Sequence, residues 1–189
     1  MSFLFGEDYR WGKQKHIAME MFRDAEARFL YASALLDRGE VAEAKDVLIG
    51  IIGDEPDYGR AHNHLGWIYR VKLSDYTRAE YHLRLAVKFA PDYPAGYIHY
   101  GNILMELGEV EKLSELTEKA FKVRGLEKST VFHFMAVVQE MKGDQLAAMK
   151  LLKRAKDESK DEDSLNYLKS EIRRLKGKMN TMSRLAIMF

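Results

Sequence analysis

Residues 55–69 read EPDYGRAHNHLGWIY, and residues 90–104 read APDYPAGYIHYGNIL. In each stretch a Pro-Asp-Tyr turn precedes an apolar helical pattern that carries a glycine 10 residues after the proline. The two prolines, Pro56 and Pro91, are 35 residues apart. A period of this length is typical of solenoids, in which each repeat is one supersecondary unit. We therefore expect a stack of similar units.

A second marker recurs with the same period. It is a glycine followed by an acidic residue at the start of a helical pattern, found at Gly39-Glu40, Gly108-Glu109 and Gly143-Asp144. The intervals are 69 and 35 residues, one double and one single period. Residues 73–76, Leu-Ser-Asp-Tyr, occupy the missing place with one residue inserted. Because glycine adopts the left-handed conformation that ends many helices, these turns predict the junction between the two helices of a repeat.

These motifs resemble the tetratricopeptide-repeat (TPR) family, whose repeat of about 34 residues folds as a helix-turn-helix unit. The copy at 59–93 resembles the family best, with these residues in register: Leu65-Gly66, Tyr69, Tyr76, Ala79, Leu83, Ala86 and Pro91. The resemblance implies an all-α fold, a right-handed superhelix of about four repeats with flanking N-terminal and C-terminal helices. We place the copies at residues 25–58, 59–93, 94–128 and 129–160.

Small residues recur in the first helix of each copy, at Ala32, Gly66, Gly101 and Ala136. A small side chain lets the second helix approach to contact distance, where a larger one would wedge the pair apart. The third copy departs from the family pattern because Leu113 stands where alanine is expected. We expect a changed packing angle at that copy.

Three segments flank the repeats. Residues 1–24 are apolar enough to cover the first repeat, or to act as an arm that binds a partner or a second copy. Residues 161–178 predict an amphipathic helix that caps the fourth copy. Residues 179–189 form an apolar tail, which we expect either to dock on the last helices or to enter a neighbouring copy and drive self-association.

The resemblance also implies where a ligand binds. In the TPR family the first helix of each repeat lines a concave groove that commonly holds peptides. The candidate peptide-binding residues are Phe29, Asn63, Trp67, Arg70, Ile98, Asn102, Met105, His133 and Val137. Asn63 and Asn102 can donate to and accept from a peptide backbone. Trp67 offers an apolar surface, although its indole could instead pack between repeats as core.

Composition argues against several other functions. Basic and acidic side chains number 30 and 29, so the net charge of +1 offers no general attraction for nucleic acid. The chain has no cysteine, which excludes thiolate metal sites and cysteine nucleophiles. It carries no phosphate-binding loop, dinucleotide fingerprint, nucleophile elbow or HExxH motif. We therefore expect no catalysis, no cofactor and no metal site.

The sequence favours a non-enzymatic scaffold or adaptor that binds a peptide segment of another protein. A secretion-type or client-specific chaperone and a regulatory subunit of a larger complex are the alternatives. An adaptor for chaperone tails is disfavoured, because the places that hold Lys or Arg in that TPR subgroup hold no permanent cation here. No apolar run approaches the ~18 residues of a membrane span, so we expect a cytoplasmic protein.

Overall fold

The computed structural model describes residues 24–179. Over this range the chain forms nine α-helices and no strand. The helices are α1 (Ala25–Asp37), α2 (Val41–Asp54), α3 (Gly59–Trp67), α4 (Tyr76–Phe89), α5 (Pro94–Leu107), α6 (Val110–Ala120), α7 (Lys128–Met141), α8 (Gln145–Glu158) and α9 (Glu162–Lys178). A π-helical turn, Ile68–Lys72, continues α3.

Several helices begin at an aspartate because its short side chain can accept a hydrogen bond from the free backbone N–H groups of the first turn. The capping residues are Asp24, Asp75, Asp144 and Asp161, at the starts of α1, α4, α8 and α9. Pro94 occupies the first position of α5, where the absence of an N–H removes no helical hydrogen bond.

Eight of these helices pair into the hairpins α1–α2, α3–α4, α5–α6 and α7–α8, and α9 packs against the last of them. Alanines lie where helices meet, and Ala32, Ala44, Ala79 and Ala148 are each 0% exposed. Consecutive hairpins share their apolar faces, so one buried cluster runs from Ala25 to Val138 and continues into a second that includes α9. The predicted all-α solenoid of helix-turn-helix repeats is confirmed.

The turns inside the hairpins follow the glycine pattern. Gly39, Gly108 and Gly143 end α1, α5 and α7 with φ values of 80°, 71° and 84°. After each glycine the next backbone N–H reaches back to a carbonyl five residues earlier, as Glu40 N does to Leu35 O at 2.9 Å. This closure satisfies carbonyls that the helix end leaves free.

The inserted residue near 73–76 is accommodated inside the first helix of the second hairpin. The interval from the small residue to the turn residue is 7 residues in the other hairpins but 8 from Gly66 to Ser74. The π-helical turn takes up the extra residue, because its hydrogen bonds span one residue more than those of an α-helix. Ser74 then holds the turn with φ of 51°, in the place that glycine holds elsewhere.

Neighbouring helices approach closely at Gly66 and Gly101, as predicted, but at Gly101 the neighbouring helix is not the predicted one. A Cβ on Gly66 would lie 2.4 Å from Leu83 Cγ, on the second helix of the same hairpin, as expected. A Cβ on Gly101 would lie 2.3 Å from Phe134 Cε2, on the first helix of the next hairpin. Gly101 therefore sets the distance between α5 and α7, because the large Phe134 ring fills the space between repeats.

The last helix ends where the described chain ends. Met179 follows α9, is 3% exposed and packs in the same cluster as Leu168 and Leu175. The predictions for residues 1–23 and 180–189 lie outside the described residues.

Candidate functional site

One face of the solenoid is built from α1, α3, α5, α7 and α9, and we call it the groove face. Side chains on neighbouring helices of this series contact one another at intervals close to one repeat. The contacts are Glu26–Arg60, Asn63–His99, Arg70–Glu106, His133–Tyr167 and Glu140–Arg174. Side chains of the groove face therefore also join the repeats.

The first pocket on this face has a volume of about 250 Å³. Three helices, α1, α3 and α5, supply its lining. The lining residues are Ser33, Leu36, Asp37, Asn63, His64, Trp67 and His99. Leu36 and Trp67 are partly buried and pack against the apolar core, so they give the pocket an apolar side.

Hydrogen bonds inside the protein fix the polar side of the first pocket. His99 Nδ1 lies 3.0 Å from Asn63 Oδ1, and since the amide oxygen accepts, His99 donates from Nδ1 and keeps Nε2 as an acceptor. His64 Nδ1 donates to Arg60 O at 3.2 Å, which leaves its Nε2 as an acceptor too. Ser33 Oγ donates to Phe29 O at 3.0 Å and retains its lone pairs.

The two imidazoles are neutral near pH 7. Burial, together with the smaller effects of His64 and Arg70, lowers the pKa of His99 to about 4. Burial also lowers the pKa of His64, against the raising effects of its bond to Arg60 O and of Asp37. Asp37 is exposed and supplies the carboxylate of the lining. The Lys72 ammonium lies near this pocket, 5.3 Å from the centre of the Trp67 ring.

The second pocket has a volume of about 170 Å³ and is lined from α5, α7 and α9. Its residues are Ile98, Asn102, Ser129, Thr130, His133, Phe134, Ser164, Tyr167 and Leu168. His133 Nε2 lies 3.4 Å from the Tyr167 hydroxyl, and the two rings meet edge to face. Burial lowers the pKa of His133, so this lining is polar but uncharged at neutral pH.

Ion pairs bridge the repeats beside the pockets. The Arg70 guanidinium holds Glu106 with two hydrogen bonds of 3.0 and 2.5 Å, which raise the pKa of Arg70. Glu140 accepts from Arg174 and Lys178, which lower the pKa of Glu140 to about 2 against the effect of its burial. The charge of Arg70, a predicted peptide-binding residue, is thus matched within the protein.

The predicted site residues fall into three groups. The first pocket contains Asn63 and Trp67, and the second contains Ile98, Asn102 and His133. Arg70 lies in the ion pair with Glu106. The remaining three, Phe29, Met105 and Val137, line neither pocket.

Phe29 is the clearest member of that third group. It is 6% exposed, and its ring meets those of Tyr58 and His64 while the Arg60 guanidinium lies over it, 4.6 Å from its centre. Met105 and Val137 are partly buried against the core. Burial also limits the surface that two pocket residues can offer to a ligand, since Asn63 is 1% and His133 is 8% exposed.

Sequence reasoning missed the contribution of α9 to the groove face. We predicted this helix only as a cap, yet Ser164, Tyr167 and Leu168 line the second pocket. The sequence did contain an indication of this role, because these residues follow Thr130, His133 and Phe134 of the second pocket by one interval of 34 residues. α9 is therefore placed like the first helix of a further repeat.

Known proteins match this chain in structure. No family model matches it, and no curated protein matches its sequence. PilF of Pseudomonas aeruginosa superposes with a TM-score of 0.66 at 19% identity, over 82% of this chain and 68% of PilF. YrrB, a TPR protein with an unusual peptide-binding site, gives 0.63 at 19% identity, over 78% of this chain and 75% of YrrB. PilW, a widely conserved type IV pilus biogenesis factor, gives 0.63 at 15% identity, over 95% of this chain and 86% of PilW.

These identities are all below 20%, so the likeness shows a shared fold. The chain has the TPR fold, and the resemblance inferred from its sequence is confirmed at that level. None of the helices within residues 24–179 is long and apolar enough to cross a membrane. Over the same range, no three His, Asp or Glu side chains are grouped to hold a metal ion.

Proposed function

We propose that this protein is a non-enzymatic interaction scaffold that holds an extended peptide segment of a partner along the groove face. The observation that carries the proposal is that two pockets lie side by side on this face and share α5. His99 lines the first pocket, while Ile98 and Asn102 line the second. Both offer hydrogen-bonding groups next to apolar side chains, which is the combination that recognises a peptide.

The positions of the pockets set the length of the segment. The first pocket lies on α1 and α3, and the second surrounds α7. Packed helices lie about 8–10 Å apart, so the two pockets are about 20 Å apart along the face. An extended peptide rises about 3.3 Å per residue and therefore bridges the pockets with about six residues.

The chemistry of the first pocket favours a basic side chain of the ligand. Leu36 and Trp67 can contact an aliphatic stem, and Asp37 offers a carboxylate that no described cation pairs. The Nε2 atoms of His64 and His99 add two neutral acceptors. Lys and Arg carry both a stem and a donor head, whereas a carboxylate would meet the Asp37 carboxylate and two neutral acceptors in the lining.

Selection from a random peptide library on the immobilised protein tests this function. We expect the enriched peptides to share a Lys or Arg at a fixed distance from a neutral side chain, and Trp67→Ala to abolish their binding. Asp37→Asn should weaken binding about tenfold, because one charge-assisted contact is lost. Asp46→Asn is the matched control, since Asp46 is exposed on α2 away from both pockets.

Other results of the selection would count against this proposal. Equal effects of the two aspartate variants would remove Asp37 from the site. Enrichment of apolar peptides without a fixed position would favour a client chaperone instead. Failure to enrich any peptide would contradict peptide binding by this face.

We also propose that the apolar tail, residues 180–189, contributes to self-association. Met179, the residue before the tail, is buried among apolar side chains of α8 and α9. Removing residues 180–189 should lower the mass measured by light scattering. An unchanged mass overturns self-association by this route.

A further inference from the structure

A second concave surface lies between α4, α5 and α6, and we call it the outer cleft. Its volume is about 410 Å³, within the ~300–1,000 Å³ that ligand pockets commonly have. Val87, Tyr97, Tyr100 and Leu116 supply its apolar floor. No residue of the outer cleft lines either pocket of the groove face, so this cleft can act independently of them.

The rim of the outer cleft is basic. Arg84, Lys88, Lys112 and Lys119 line it together with a single carboxylate, that of Glu115. Lys112 lies 3.5 Å from carboxylate oxygens of both Glu80 and Glu109. Among the described residues, no carboxylate lies within ion-pair distance of the other three cations. Arg84 and Lys88 lie 5.8 and 4.9 Å from the ring centres of Tyr81 and Phe89, so within residues 24–179 the three cations have aromatic neighbours or none, and can pair with the carboxylates of a ligand.

The floor also contains a hydroxyl that can donate to a ligand. Tyr97 as a whole is 4% exposed, but within residues 24–179 its hydroxyl makes no hydrogen bond and is not a fully buried atom, so it reaches solvent. The neighbouring Tyr100 differs, because its hydroxyl donates to Glu80 at 3.2 Å. Burial raises the pKa of Tyr97, which keeps this hydroxyl protonated and able to donate. A hydroxyl that reaches solvent and has no protein partner can donate to an acceptor of a ligand.

We propose that the outer cleft binds an acidic segment of a partner protein that carries an aromatic side chain between its carboxylates. The ring fills the apolar floor, and the flanking carboxylates pair with Arg84, Lys88 and Lys119. A backbone carbonyl or carboxylate of the segment accepts from the Tyr97 hydroxyl. A nucleic acid fits less well, because single strands need exposed aromatic faces for stacking, whereas Tyr97 and Tyr100 are 4% and 7% exposed.

The experiment uses a fluorescein-labelled synthetic peptide with one phenylalanine between two pairs of glutamates, followed by fluorescence anisotropy on the full chain. We expect saturable binding that the double variant Lys88→Glu, Lys119→Glu weakens more than about tenfold. The matched control is Lys142→Glu with Lys150→Glu, since both lysines are exposed and lie outside the outer cleft. Tyr97→Phe should weaken binding about three- to tenfold, the effect of one lost hydrogen bond.

Three outcomes overturn the proposal. One is no binding, and another is equal weakening by the two double variants, which indicates unspecific attraction of charge. The third is displacement of the peptide by a single-stranded oligonucleotide at lower concentration than by unlabelled peptide. Trp67→Ala should leave this binding unchanged, so the outer cleft and the groove face can fail or succeed separately. Circular dichroism of each variant checks that it folds.

Discussion

Asn63 and His99 lie 36 residues apart in the chain and are joined by a hydrogen bond of 3.0 Å between α3 and α5. A similar relationship recurs two repeats later, where His133 of α7 meets Tyr167 of α9 across 34 residues. These bonds lie in the lining of the two pockets. Because these side chains both join the repeats and line the pockets, we expect a bound peptide also to stiffen the solenoid.

The first prediction concerns the spacing of α5 and α7. Gly101→Ala places a methyl group 2.3 Å from the Phe134 ring, which must move. We expect a loss of about 1–3 kcal/mol in the free energy of unfolding, measured with urea. Gly53→Ala is the control, since a Cβ there meets nothing within 4 Å, and alanine favours a helix over glycine by up to about 1 kcal/mol. Equal stabilities of the two variants would contradict the assigned role of Gly101.

The second prediction concerns acid stability. Burial and the charges of His62 and Arg78 lower the pKa of His82 to about 4, and the pKa of His99 is also about 4. An unfolded histidine titrates near pH 6.5, so between these values the unfolded chain binds more protons than the folded chain. Stability is therefore complete above about pH 6.5 and falls as the pH falls towards 4.

The size of this effect can be measured by urea unfolding between pH 7 and pH 4.5. We expect each of the two histidines to contribute on the order of 1–3 kcal/mol to the loss. His82→Gln should make the pH dependence shallower, even if the variant is less stable at pH 7. An unchanged slope for this variant would show that His82 is charged in the folded protein.

The third prediction concerns the attachment of α9. Arg174 holds Glu140 of α7 through hydrogen bonds of 2.7 and 2.6 Å. Arg174→Ala should speed hydrogen exchange in α9, with a cost of about 1 kcal/mol because the pair is partly exposed to solvent. Arg173→Ala is the matched control, since Arg173 is exposed on the same helix. Faster exchange in both variants, to the same degree, would mean that helix propensity and not the ion pair holds α9.

The sequence predicted the repeat and its turns well because these depend on local rules. Glycines at fixed intervals end helices whatever surrounds them, and Gly39, Gly108 and Gly143 all do so. The extra residue in the second copy was also visible in the sequence, because the interval from Gly66 to Ser74 is one residue longer than in the other copies. The sequence did not show that a π-helical turn at Ile68–Lys72 would take up this residue, because the connecting turn between the two helices could have taken it up instead.

Side-chain partners were harder to predict because they depend on distances between repeats. Phe29 was expected to face a ligand, but it is surrounded by Tyr58, at the end of its own copy, and by Arg60 and His64 of the next. Gly101 was expected to contact the second helix of its own hairpin, α6, but its nearest neighbour is Phe134 on α7, whose large ring decides the spacing between α5 and α7. Such contacts depend on how large side chains of neighbouring repeats pack against each other, and a sequence pattern of small residues does not reveal that packing.

The most direct test of the account is a nuclear magnetic resonance titration of the labelled protein with a peptide selected on it. Peptide binding along the groove face predicts shifts of the Trp67 indole N–H and the Asn63 side-chain amide in the first pocket, and of Thr130 and Ser164 in the second. Resonances of Leu116 in the outer cleft should stay in place. Shifts confined to other surfaces, with the Trp67 and Asn63 signals unmoved, would contradict it.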